Sequence, residues 1–129
     1  MKEQDADKSE IGIFKVGEYN QKFNDILNCN LPVVDIIQST GLEIHIRKRH
    51  PNCINYLENI EEIIKSPDYI GTNKKEPNSI ELVKCYDENI QIAIKLDKDS
   101  NGLYVASLYN VKNSRIQQRL HSGRLKPFT

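Results

Sequence analysis

The sequence predicts an α+β fold: N-terminal helices packed on a small antiparallel β-sheet, with a short helix closing the chain. Three observations carry this. Apolar residues recur at helical spacing in the first half, at Tyr19, Phe23, Ile26 and Leu27, and again from Cys53 to Ile64. From Ser79 the period changes to two, with Ile90, Ile92, Ile94 and Leu96 alternating with Gln91, Ala93 and Lys95. The alternating runs are joined by short turns, which makes successive strands antiparallel neighbours.

Taken in order, residues 1–10 are polar and read as a disordered N-terminus, leaving 11–129 as a single α+β domain. Ile11 to Val16 is a strand candidate, and residues 18–28 form an amphipathic helix that Leu31-Pro32 breaks. The apolar run 33–37 is undecided between helix and strand. So is Gly41-Leu-Glu-Ile-His-Ile-Arg-Lys-Arg-His50. Its alternation reads as a strand, whereas as a helix it would turn Leu42 and Ile46 inward and set His45 and Arg49 on one face. Asn52 caps a helix running to about Lys65, where Pro67 stops it. Residues 67–77 are a turn-rich connection. Three strands follow, over 79–86, 90–96 and 103–111. Ile116 and Leu120 then face inward from a short helix that Gly123 ends.

Composition narrows the function classes. A chain of 129 residues supports one core of ordinary size. No apolar run is long enough to span a membrane, and the N-terminus lacks a signal-peptide core. Three cysteines, widely spaced and without a CxxC pair, argue against a disulfide framework or a zinc site and suit a reducing, cytoplasmic setting. The zero net charge is unevenly spread. Residues 1–41 hold 4 Lys and 7 Asp/Glu, whereas residues 42–129 hold 14 Lys/Arg and 11 Asp/Glu. Arg47-Lys-Arg-His50 and the group Arg115, Arg119, Arg124 and Lys126 are basic clusters suited to a polyanion.

The sequence has no Gly-rich phosphate loop, no HExxH and no GxSxG. No metal and no cofactor is expected. What remains is histidine, serine, tyrosine and cations, and that set suits RNA cleavage. RNA carries its own nucleophile, the 2′-OH, so the protein need supply only a base, an acid and positive charge for the phosphorane.

The string Ser39-Thr-Gly-Leu-Glu-Ile-His-Ile-Arg-Lys-Arg-His-Pro51 is followed by Ser66-Pro-Asp-Tyr-Ile-Gly71. Next come Tyr104-Val-Ala-Ser-Leu-Tyr109 and Arg115-Ile-Gln-Gln-Arg-Leu-His-Ser-Gly-Arg124. In this order, over about 39–126, they resemble the phage and mobile-element branch of the barnase–EndoU–colicin–RelE superfamily of small RNases. The resemblance implies a helical portion packed on an antiparallel sheet, and hence a helix over 41–50. It also implies a metal-independent endoribonuclease used as a toxin, acting on RNA, with an antitoxin or immunity protein as an optional partner and no membrane. Carried over by position, it implies His50 and His45 as catalytic histidines, with His50 preferred, and Ser107 beside them. Arg49, Lys95, Tyr109, Arg115, Arg119 and Arg124 become substrate-binding candidates.

Each residue also has a plainer reading. His50 suits a helix C-cap. Ser107 shares its alternation class with Leu103, Val105, Tyr109 and Val111, as a core hydroxyl would. Arg115 and Arg119 form an i,i+4 stripe that solvent alone explains, and His121 reads as surface. The competing function is a module that keeps this fold without chemistry and binds nucleic acid or a protein, which the zero net charge favours. The acidic excess of residues 1–40 suggests a cover over the basic site.

Overall fold

The computed structural model describes residues 12–129, so the disorder expected over 1–10, and Ile11, lie outside the described residues. β1 (Ile13–Glu18) leads into α1 (Gln21–Leu27), whose N-cap Asn20 accepts from Lys22 N at 2.9 Å. That cap makes the helix shorter than the expected 18–28 and leaves Tyr19 before it, buried and donating to Asn24 Oδ1 at 2.7 Å. The undecided run becomes β2 (Asp35–Ser39). α2 (Gly41–Arg49) is helical and buries Leu42 and Ile46.

The helix expected over 52–65 is divided. Pro51–Asn59 is a 3-10 segment, and only Ile60–Lys65 is α-helical (α3). Ile54, Leu57, Ile60 and Ile63 recur every three residues, and a three-residue turn keeps such a row in line.

β3 (Tyr69–Asn73), β4 (Glu76–Cys85), β5 (Asn89–Asp97), β6 (Gly102–Val111), α4 (Asn113–Ser122) and β7 (Leu125–Pro127) complete the chain. The sheet has seven strands in the order β1-β2-β6-β5-β4-β3-β7. The pairs are antiparallel except β2–β6, which is parallel. The fold is therefore mixed α and β as expected, but the sheet is large rather than small, and it is not purely antiparallel. Its helices also alternate with β1 and β2 instead of forming an N-terminal block. The connection 67–77 supplies β3 and the start of β4. Ile70 is fully buried there, and pairing with β4 on one side and β7 on the other satisfies the backbone that burial would otherwise strand.

One sheet face carries the main core. Ile80, Leu82, Ile90, Ile92, Ile94, Leu103, Val105 and Leu108 join Phe23, Leu42, Ile46, Ile60, Ile63 and Ile64 from the helical side. The opposite face holds a smaller cluster, Val83, Val111, Ile116 and Leu125, gathered around α4 and β7. Alternation puts Glu81 and Gln91 on that second face, and both are buried. Among the described residues no helix is long and apolar enough to cross a membrane.

Candidate active site on the second sheet face

A bulge decides what β6 presents. Ser107 pairs with Ala93 and Val105 with Ile94, leaving Ala106 as an extra residue. Leu103 and Val105 lie in the main core, and beyond the bulge Leu108 takes over that role. Ser107 is thereby moved out of the alternation class of Leu103 and Val105. It shares the second face with Tyr109 and Val111, and its hydroxyl has no hydrogen bond among the described residues.

α4 supplies the first cation. Ile116 and Arg119 are buried, so Arg119 turns toward the sheet, while Arg115 stays exposed. The expected solvent stripe of Arg115 and Arg119 is thus split. The signal was present in the sequence, since Ile116, Arg119 and Leu120 fall at i, i+3 and i+4 on one helical face. Arg119 Nη1 donates to Gln91 Oε1 at 2.8 Å, whereas its buried Nε has no partner. Burial and the neighbouring Arg124 lower the affinity of this guanidinium for its proton.

Arg124 comes from the turn that closes α4. Gly123 takes the left-handed conformation (φ 85°) that glycine accepts without strain, and the chain reverses into β7. Gly71 then allows β7 to come close. A Cβ at that position would meet the Arg124 carbonyl oxygen and lie 2.7 Å from Leu125 Cδ2. So placed, Arg124 grips the buried Glu81 with two hydrogen bonds, Nε to Oε1 at 3.1 Å and Nη2 to Oε2 at 2.7 Å. Gln91 joins the parts, donating to Glu81 Oε2 at 3.3 Å and to Tyr109 Oη at 2.6 Å. Sequence reasoning missed Glu81 and Gln91 because both sit in the polar class of an alternating strand. The clue was Val83, an apolar residue in the same class as Glu81 on β4, which marks a covered face.

His50 reaches this cluster from the end of α2. Its backbone N–H donates to Ile46 O at 2.7 Å, so it does close the helix. Its ring meanwhile stacks on Tyr109, with centroids 5.4 Å apart and planes tilted by 31°. His45 stands edge-on to His50 at 6.3 Å and is exposed. Burial, then His45 and Arg49, push the His50 imidazolium below the ordinary histidine range. Burial, with Glu81 adding to it, pushes the Tyr109 phenol up, and Arg119 and Arg124 pull it partly back.

The remaining candidates surround the cluster. Arg49 is exposed beside His50. Arg115 lines an open groove of ≈ 420 Å³ with Tyr109, Lys112, Ser114 and Arg119. Lys95 lies farther along the Gln91 face of β5 and meets Glu76 at 3.4 Å rather than the arginines. His121 is exposed on α4.

A family model described as phage-Barnase-EndoU-ColicinE5/D-RelE like nuclease3 matches residues 14–118. The chain belongs to that nuclease family. No curated protein and no solved structure matches it. The matched span reaches from β1 into α4 and contains His45, His50, Glu81, Gln91, Ser107, Tyr109 and Arg115. Arg119 and Arg124, which bind Gln91 and Glu81, fall just beyond it.

Proposed function

We propose that the chain is a metal-independent endoribonuclease, a toxin of the kind associated with phages and mobile elements, cleaving RNA through its own 2′-OH. The observation that carries this reading is the partly buried His50 imidazole stacked at 5.4 Å on Tyr109, whose hydroxyl joins the Gln91–Glu81 network that holds Arg119 and Arg124. Neither ring nitrogen of His50 is hydrogen-bonded among the described residues, and its depressed proton affinity keeps it neutral near pH 7. It is the general base that takes the 2′-OH proton. His45 passes that proton to solvent. Ser107 hydrogen-bonds a phosphate oxygen, and Arg119 and Arg124 carry the charge of the phosphorane, a task otherwise given to a metal ion. Arg49, Lys95 and Arg115 hold flanking phosphates, and Lys112 extends the last of these contacts along the groove.

Incubation with RNA in EDTA tests this. The wild type should release fragments ending in 2′,3′-cyclic phosphate, and His50→Ala should lower kcat by roughly 10²–10⁴-fold. No cleavage by the wild type, or full cleavage by His45→Ala/His50→Ala, overturns the reading. The zero net charge favours one alternative, a module that binds RNA or an antitoxin-like protein without chemistry. RNA binding that weakens steeply with salt, and proceeds without turnover, would select it.

A further inference from the structure

Gln91 is fully buried in the first half of β5 and touches three partners. Its Oε1 accepts from Arg119 Nη1, and its Nε2 donates both to Glu81 Oε2 and to Tyr109 Oη. A side-chain amide can often be turned over, exchanging oxygen for nitrogen. Here the neighbours forbid it. A guanidinium can only donate and a carboxylate only accept, so Arg119 and Glu81 together fix which end of the amide is which. The Tyr109 oxygen faces the amide N–H and therefore accepts. Its own proton is directed away from the network, and no protein acceptor meets it among the described residues.

We propose that Gln91 holds the Tyr109 hydroxyl as a donor toward the substrate, and that Tyr109 supplies the proton to the departing 5′-oxygen. This rests on the ribonuclease reading and adds the acid that the reading lacks. His50 takes the proton of the 2′-OH, the 2′-oxygen forms its bond to phosphorus, and the bond from phosphorus to the 5′-oxygen breaks. That oxygen leaves with the Tyr109 proton. The phenolate is held by the Gln91 N–H and the Arg119 charge until water reprotonates it, and the His50 imidazolium returns its proton to solvent. The environments suit the two tasks. The Tyr109 phenol, whose hold on its proton burial strengthens, is protonated in neutral solution, while burial, then His45 and Arg49, weaken the hold of His50 on a proton. Tyr109 is the catalytic residue of this step and Gln91 a positioning residue.

The test compares two substrates in EDTA, a short RNA and the same RNA with sulfur in place of the scissile 5′-oxygen. A thiolate leaves without needing a proton. Tyr109→Phe keeps the ring that stacks on His50, so the fold should persist, and a thermal melt checks this. We expect a loss of roughly 10²–10⁴-fold in kcat on RNA and near wild-type rates on the sulfur substrate. Gln91→Met should also lose activity on RNA and regain it on the sulfur substrate, a rescue that a merely structural role would not produce. An active wild type with an equally active Tyr109→Phe overturns this inference alone. So does a Tyr109→Phe loss that is equal on both substrates. A wild type inactive on both substrates overturns the ribonuclease reading, and the inference falls with it.

Discussion

Arg124 and Glu81 form a two-point ion pair on the second sheet face, at 2.7 and 3.1 Å, with the Glu81 side chain only 6% exposed. The pair ties the turn after α4 to the centre of β4. It also fixes the direction in which the arginine presents its remaining N–H groups. The first prediction concerns this bond. Glu81→Gln should lower stability by roughly 1–3 kcal/mol, because Arg124 and Gln91 then lose a charged acceptor in a place water barely reaches. Urea denaturation of Glu81→Gln, Arg124→Ala and the double variant should give a coupling of about 0.5–3 kcal/mol. Strict additivity would show that the pair is worth nothing.

Gly71 should be intolerant of any side chain. The Cβ of Gly71→Ala would meet the backbone carbonyl of Arg124, which cannot swing aside as a side chain could. A loss of roughly 1–3 kcal/mol is expected, together with weaker RNA cleavage as β7 and Arg124 shift. Gly41→Ala is the control. A Cβ there lies 3.4 Å from the flexible Ser39 Oγ, and its melting temperature should be close to that of the wild type.

The pH profile should carry the signature of His50. Burial first, then the electrostatic effects of His45 and the Arg49 charge, disfavour its imidazolium, so the neutral base persists to lower pH than an ordinary histidine would allow. Activity should therefore hold through neutrality, with an acid limb at lower pH than an ordinary histidine would give. Arg49→Gln removes one of those charges and makes protonation easier. Its acid limb should move to higher pH, and a limb that stays in place would separate His50 from the rate.

Exposed cations should act on binding alone. Arg115→Ala and Lys112→Ala line the groove without supporting the core. Each should raise KM for RNA, reduce the salt slope of binding by about one ion, and leave kcat nearly unchanged. Their melting temperatures should match the wild type. A fall in kcat alone would place these residues at the reacting phosphate instead.

The sequence by itself determined the helix over 18–28 in outline, the strands that became β4, β5 and β6, and the helix that became α4. These follow from hydrophobic period, which is a local property of consecutive side chains. The motif order also pointed to the family, because spacing is written directly in the chain. The tertiary structure alone decided which face each candidate residue occupies. The extra residue Ala106 turns Ser107 and Tyr109 away from the main core, and alternation cannot reveal a bulge from one strand. The parallel β2–β6 pair and the β3–β7 edge join segments far apart in the chain. Glu81 and Gln91 look like solvent-facing residues until α4 and Arg124 close over them. Burial of a polar residue depends on what packs above it, and that partner lies elsewhere in the sequence.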